Sequence, residues 1–413
     1  MRILLTPMGS SGDVFPFLGI GARLQARGHE VTVITMEPFR AASERLGLGF
    51  QPVLSNADFA QIIAHPDLWH LRKGLMVVMR SLHATLQTTY DALETLYQPG
   101  NTVIVGHTLS FATRAFEEKH NAPAVTLQLA PSVFRSAFRQ PVMTPGSNMT
   151  NWPTWLKKSV LRVADMLLDH QLRAVNQWRG NIPLPPVKRF FCDWIHSPNR
   201  VIGLFPDWFG DPQPDWPAQL RLTGFPLYDQ VEGEALPASV ETFLHAGDPP
   251  IVFAPGSANR QAAPFYAEGL AATEQLGRRA LLPTQYPEQL PNPLPKHALH
   301  VPYAAFSSLL PRCAGIVHHG GIGTCGQGFA AGIPQLIMPM AFDQPDNADR
   351  LRRLQVGDWL TPKHFVAPQI AAKLQALLSS PDTAQACQHY QQRTQAMDAV
   401  ENTCDLIEQA AEP

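Results

Sequence analysis

Two doubly wound α/β sheets, one in each half of the chain, are what the sequence predicts. Three observations carry that expectation. Short apolar runs alternate with helix-period segments from Arg2 to Gln128 and again from Pro250 to Met338, the pattern of parallel strands joined by crossover helices. A glycine-rich turn follows an apolar run in each half: Pro7-Met8-Gly9-Ser10-Ser11-Gly12-Asp13 after Arg2–Thr6, and His318-His319-Gly320-Gly321-Ile322-Gly323-Thr324 after Ala314–Val317. Between the halves, 206–217 is too dense in proline for a regular element. The expected division is 1–227, a linker at 228–238, 239–390, and a C-terminal helix over 391–413 that returns to the first half.

In order, Arg2–Thr6 reads as a buried strand and Phe15–Arg27 as a helix that Gly28 closes. Val31–Thr35 and Phe50–Val53 are strands around a helix at Pro38–Leu46. From Asn56 to about Gln98 the pattern is helical. Val103–Gly106 is a strand that delivers His107 to its end, followed by a helix at Phe111–Lys119 and a strand at Ala124–Gln128. Residues 131–186 are loop-rich and then helical, and Val201–Phe205 and Leu220–Gly224 read as strands. In the second half, strands at Pro250–Ala254, Arg279–Leu282, Leu299–Val301, Gly315–Val317 and Gln335–Met338 alternate with helices. Asp343-Gln344-Pro345-Asp346-Asn347 lies just past the last strand, before a helix at Ala348–Leu354. Helices follow at Ile370–Leu378 and through Ala384–Gln409.

The totals narrow the class. The chain has 413 residues, 45% of them hydrophobic and 16% charged, which suits two sizeable cores and argues against disorder. A net charge of −2 argues against a nucleic-acid binder held by bulk electrostatics. No run has the length of a membrane span or the pattern of a signal peptide. Five cysteines, without metal-ligand spacing, read as free thiols in a reducing cytoplasm. Peripheral contact with a membrane surface stays compatible with this composition.

The second turn has a physical reading of its own. A strand, a glycine-rich turn and a helix N-terminus bring unpaired N–H groups and partial positive charge to one place, with histidine and threonine donors beside them. That suits a diphosphate; a tight strand-to-helix turn with an incidental histidine pair is the plain structural alternative. Ligands of such sheets sit beyond the C-terminal strand ends, and the cleft between two such sheets is the expected place for a substrate.

The residues also carry a resemblance. Gly9-Ser10-Ser11-Gly12-Asp13-Val14-Phe15-Pro16-Phe17, with Leu24 and Arg27-Gly28-His29, resembles the N-terminal signature of family 1 glycosyltransferases, in particular the sterol and antibiotic branch. His318–Thr324, Ala331-Gly332-Ile333-Pro334, Asp343-Gln344 and Asn347 resemble the nucleotide-sugar motif of that family. Segments such as Trp194-Ile195-His196-Ser197-Pro198 and Thr223-Gly224-Phe225-Pro226-Leu227 are similar to the rhamnosyltransferases of rhamnolipid synthesis. The resemblance implies a GT-B fold, two facing Rossmann-like domains with an interdomain cleft. It also implies an inverting reaction without a catalytic metal, and a nucleotide-sugar donor (UDP- or dTDP-linked) held mostly by the second domain.

Sugar transfer to a hydroxyl needs a base, stabilisation of the leaving diphosphate, and contacts that orient the sugar. By resemblance, Asp13 stands where many members have the catalytic histidine; as a carboxylate it is a weak base unless burial strengthens it, and it also suits a helix cap. His107 stands at the strand end where relatives often place an acid, so an Asp13–His107 pair is expected, with His107 shuttling the proton or holding the acceptor. Ser257, His319, Gly321, Gly323 and Thr324 match the phosphate-contacting positions, and His318 the turn's support. Asp343 and Gln344 match the sugar-binding pair, with a polar loop cap as the structural alternative. Tyr303 matches the base-stacking position, and Gln327 replaces the usual ribose-binding glutamate. The rival readings are a GT-B epimerase acting on UDP-sugars and a non-catalytic nucleotide-sugar-binding partner of another transferase. The apolar segment Leu71–Met79 and the aromatic-rich 134–155 region point to a lipophilic or aromatic acceptor, although core packing produces the same composition.

Overall fold

The computed structural model describes residues 1–70, 73–144, 149, 151–229 and 235–411. The chain divides into two compact units, Met1–Val142 with Gly146–Pro226 and Asp398–Pro413, and Leu227–Met397 with Met143–Pro145. Residues 71–72, residues 145–148 and 150 of the aromatic-rich region, and 230–234 of the expected linker lie outside the described residues.

The first unit runs β1 (Arg2–Thr6), α1 (Ser11–Ala26), β2 (Glu30–Met36), α2 (Arg40–Arg45), β3 (Gly49–Leu54), α3 (Asn56–Ile63), α4 (Gly74–Leu96), β4 (Thr102–His107), α5 (Phe111–His120), β5 (Ala124–Gln128), α6 (Thr154–Gln171), α7 (Arg173–Asn181), β6 (Arg200–Gly203) and β7 (Leu220–Leu222). Its sheet is parallel throughout, in the order β3-β2-β1-β4-β5-β6-β7. Ile3, Leu4, Leu5, Val33, Ile34, Val105 and Leu127 have no exposed surface. Burial on both faces is why these strands read as unbroken apolar runs rather than alternating ones.

The second unit runs α8 (Ala238–His245), β8 (Ile251–Ala254), α9 (Ala263–Gln275), β9 (Ala280–Pro283), β10 (Ala298–Val301), α10 (Phe306–Leu309), β11 (Gly315–His318), α11 (Ile322–Ala331), β12 (Gln335–Ile337), α12 (Gln344–Arg353), β13 (Gly357–Trp359), α13 (Ala367–Ser379) and α14 (Pro381–Gln395). Its sheet is also parallel, in the order β10-β9-β8-β11-β12-β13. One apolar cluster centres on Phe253, Phe265, Leu282 and Ile370, a second on Val252, Leu309 and Ile316.

The last helix, α15 (Ala399–Gln409), belongs to the first unit. The single long C-terminal helix expected from sequence is two helices. Asp398 starts the second by accepting the Glu401 N–H at 3.1 Å. Arg27 reaches Glu401, Asp405 (2.7 Å) and Glu408 (2.8 Å), and His29 reaches Glu408 at 2.7 Å, so α15 is fastened to the end of α1. Helix α8 and strand β13 carry too little periodicity to have been read from sequence.

Two helices begin four residues earlier than their apolar periodicity indicates. α1 starts at Ser11 and α12 at Gln344. Both first turns are polar and contribute little to a hydrophobic stripe. Ser10 before one and Pro345 inside the other are nevertheless start signals. The consequence is local but important: Asp13 and Gln344 stand in first helical turns, not in loops.

Candidate active site

In each unit the sheet reverses direction of winding at one point, between β1 and β4 in the first and between β8 and β11 in the second. Loops leaving adjacent strands in opposite directions open a crevice there, which is where such sheets hold ligands. Asp13 and His107 fall at the first of these points, and Ser257 with His318–Thr324 at the second.

In the first unit, β1 leads into α1, whose first turn carries Asp13. Its Oδ2 accepts the Ser10 backbone N–H at 2.7 Å and the Ser10 hydroxyl at 3.0 Å. The fold spends this oxygen on a capping arrangement. Gly9 permits it: at φ +134°, a Cβ there would lie 2.2 Å from Oδ2. The other oxygen, Oδ1, faces His107 Nε2 at 3.8 Å, across the register that pairs Thr6 with Gly106. His107 is 5% exposed at its side chain, against 31% for Asp13. Burial pushes its imidazole below the ordinary value, and the Asp13 charge opposes this only in part. The Leu109 N–H donates to His107 Nδ1 at 3.4 Å. Nδ1 therefore carries the lone pair, and in the neutral ring the proton sits on Nε2, the nitrogen that faces Asp13.

In the second unit, β8 ends at Ala254 opposite His318 of β11, so the loop with Gly256 and Ser257 lies beside the His319–Gly321 turn. His318 is fully buried. It accepts the Gly320 N–H on Nδ1 at 3.2 Å, and its Nε2 lies 3.0 Å from Gln335 Oε1. Burial, with the neighbouring His319, pushes it down to about 3, against the Gln335 bond. It braces the turn in the neutral form. His319 is partly exposed, and its ring has a hydrogen-bonding partner in the Ala254 backbone. Burial lowers its proton affinity too, and the accessible edge makes that shift softer than at His318.

The glycines of the turn serve three purposes. A Cβ on Gly256 would lie 3.1 Å from the His319 ring, and one on Gly321 only 2.5 Å from Nε2, so these two make room for the imidazole. Gly320, at φ +94°, turns the chain where a Cβ would meet Ile337 at 2.8 Å. Only Gly323 has open space above it, with nothing within 4 Å of a Cβ. It is the second residue of α11, so the bare surface lies over the unpaired N–H groups of that helix. Thr324, next in the turn, is partly exposed, and Ser257 is exposed.

Asp343 and Gln344 open α12, past the end of β12. Phe342 before them has φ +59°, a left-handed conformation costly for a non-glycine residue, which sets the direction of both side chains. Gln344 is 2% exposed, and its Oε1 accepts the N–H groups of Met340 (2.8 Å) and Ala341 (3.1 Å). Its amide oxygen is committed to the loop; only Nε2 is left to meet a ligand. Asn347 has no exposed surface, and its Nδ2 donates to Asp343 Oδ2 and to the Gly320 carbonyl, each at 2.8 Å. It ties the acid to the glycine turn. Sequence reading assigned it no role, though its i+4 spacing from Asp343 was the available signal.

The nucleoside-binding candidates are less closely gathered. Tyr303 is partly buried on the loop after β10, the edge strand, and that loop leads into α10, which packs against α11. Gln327 is buried inside α11 at 7% exposure. Among the described residues, no three His, Cys, Asp or Glu side chains converge as a metal-binding group.

Known proteins match this architecture along its length. A model of the glycosyltransferase family 28 N-terminal domain matches residues 3–138. A model of the erythromycin biosynthesis protein CIII-like C-terminal domain matches residues 282–403. O-mycaminosyltylonolide 6-deoxyallosyltransferase of Streptomyces fradiae is 33% identical over 440 residues, covering 100% of this chain and 98% of that protein. Among solved structures, the glycotransferase of kitacinnamycin matches with a TM-score of 0.76 at 18% identity, over 99% of both chains. The spinosyn rhamnosyltransferase SpnG complexed with thymidine diphosphate matches with a TM-score of 0.67 at 20% identity, over 98% of this chain and 100% of that one. With both halves matched in order and a relative one-third identical from end to end, the chain belongs to the family 1 glycosyltransferases of the antibiotic, natural-product type and has their GT-B fold.

Proposed function

We propose that this glycosyltransferase moves a hexose from a nucleoside diphosphate to a hydroxyl of a small lipophilic or aromatic acceptor, with inversion and without a metal. The observation that carries the donor half is the open surface over Gly323 at the start of α11, flanked by His319, Thr324 and Ser257. Helix N–H groups and neutral donors there suit the charge that builds on a leaving diphosphate. Asp343 and the Gln344 Nε2 orient the sugar, Gly321 contributes backbone, and Tyr303 and Gln327 are the candidates for base and ribose. A thymidine-linked 6-deoxyhexose is the first donor to test. The deoxyallosyltransferase relative and the thymidine diphosphate in the SpnG structure favour it over UDP-glucose.

On the acceptor side, the attacking hydroxyl forms its bond to the anomeric carbon as the bond to the diphosphate breaks, and its proton passes to Asp13 Oδ1. His107, with its proton on Nε2, positions that carboxylate and the acceptor rather than serving as the base. Phe15 meets Phe39 edge-on at 6.1 Å, and Phe39 meets Phe59 at 5.9 Å. This aromatic row, which starts at Phe15 two residues after Asp13 on α1, with the half-exposed Leu75–Val78 at the start of α4, suits an apolar acceptor better than a polar one.

Calorimetric titration with dTDP, UDP and their sugars tests the donor. Turnover with EDTA present and proton NMR of the product's anomeric centre test the rest. Tight binding of dTDP-rhamnose, EDTA-insensitive turnover and an inverted product are the expected results. Failure of every nucleotide to bind would remove the donor assignment.

A further inference from the structure

Helix α6 carries apolar side chains on both sides: Leu156, Val160, Leu161 and Leu168 are half-buried, and a second apolar set faces outward. Its two most buried residues are charged: Lys157 and Asp165, at 4% and 6% exposure. Lys157 donates to the Phe138 carbonyl at 3.2 Å, and Asp165 pairs with Arg135 and accepts the Cys192 thiol at 3.0 Å. The outward face carries Trp155, Val163, Met166 and Leu167, exposed by 68%, 57%, 72% and 63%. Spacings of i, i+8, i+11 and i+12 align them in one stripe along the helix. A soluble helix ordinarily keeps a second stripe of large apolar side chains off its exposed face.

The charges beside that stripe have one sign. Lys158 and Arg162 are exposed on the same side, and no carboxylate of the described residues forms an ion pair with either. The two acids of α6 are withdrawn. Asp165 is occupied as above, and Asp169 accepts the N–H groups of Arg189 (2.7 Å) and Phe190 (3.1 Å). A stripe of large apolar side chains with a tryptophan at one end, basic residues at its border and no acid on its face has the composition of a helix lying in a membrane interface. No helix of the described residues is long and apolar enough to cross a membrane, so contact here is parallel to the surface.

We propose that the outer face of α6 docks on an anionic lipid surface, inserting Trp155, Val163, Met166 and Leu167 while Lys158 and Arg162 meet the headgroups. This inference is independent of the transfer reaction. A second copy of the chain would need a matching acidic patch for the same bases, and the face does not supply one to its own copy. Mixed bilayers supply it directly.

The test is co-sedimentation of the full chain with phosphatidylcholine vesicles, with and without phosphatidylglycerol. Binding to the anionic vesicles, weakened by salt, is expected. Met166→Gln with Leu167→Gln should abolish it while leaving turnover on a soluble acceptor unchanged. Lys158→Glu and Arg162→Glu should each lower partitioning by at least about fivefold on anionic vesicles only. Trp155→Phe should remove the emission component that brominated lipid quenches. All these side chains are exposed, so the variants keep the fold. Absence of binding to anionic vesicles, or binding untouched by these substitutions, overturns the proposal. A concentration-dependent dimer that the glutamine pair dissolves, without vesicle binding, would overturn it in favour of a copy interface.

Discussion

Asp13 divides its carboxylate between two tasks, one oxygen capping α1 and the other facing His107. The division makes the proposed base testable without unfolding the protein. In Asp13→Asn the amide oxygen can still accept the Ser10 N–H, so stability should stay near that of the parent, while kcat should fall by about 10²–10⁴. Asp13→Ala should lose the cap as well, about 1 kcal/mol by chemical denaturation. An asparagine variant with parental kcat would transfer the role elsewhere. Asn347 offers a second test at this scale. Asn347→Ala deletes both bonds that hold Asp343 to the glycine turn, leaving the buried Gly320 carbonyl with the weak Cys325 thiol donor at 3.7 Å. A loss of about 1–3 kcal/mol is expected, together with a raised KM for the donor. Unchanged donor KM in the folded variant would mean that Asp343 needs no such anchor.

For the elements, the start of α11 separates structural glycines from the one that leaves room for a ligand. Gly256 and Gly321 are filled by the His319 ring, so alanine at Gly321 should disturb the turn itself. Gly323 is different. Alanine there meets nothing and is the better helix former, so Gly323→Ala should be neutral or raise stability by up to about 1 kcal/mol. If the diphosphate rests on this surface, the same methyl should weaken donor binding by about tenfold or more, since it blocks close approach of the phosphate oxygens to the helix N–H groups. Thermal unfolding and calorimetric titration of one variant read both effects. Stabilised protein with parental donor affinity would place the diphosphate elsewhere.

Across the whole molecule, several histidines are buried neutral in both units. His196, stacked on Phe134 at 5.2 Å, is pushed down to about 4 by burial and by Arg114. His318 is pushed to about 3, and His107 is lowered as well. Their ordinary value is 6.5. As pH falls below it, the unfolded chain takes up protons before the folded one does. The stabilisation is thus complete above 6.5 and is lost progressively toward the folded values. At about pH 5, each of His196 and His318 should cost on the order of 2 kcal/mol. Scanning calorimetry should show Tm falling by several degrees between about pH 7 and pH 5, less steeply in His196→Gln. A flat profile would mean that these rings are solvated in the folded state.

Much of the architecture was legible because parallel strands covered on both faces leave unbroken apolar runs, and β1, β5 and β11 stand within a residue of where those runs end. The glycine turns were legible for the same reason, since each follows such a run. What sequence could not decide depends on pairings between distant strands. Thr6 lies beside Gly106 and Ala254 beside His318, and only those registers bring Asp13 to His107 and Gly256 to the His319 ring. The polar first turns of α1 and α12 were misplaced because periodicity does not register residues whose task is to bond backbone. The α6 stripe shows the limit most plainly. The sequence reads there only as helical, with apolar residues all round; which of them face inward was settled by Arg135, Cys192 and the Phe138 carbonyl, which hold Asp165 and Lys157 inside and leave Trp155, Val163, Met166 and Leu167 in water.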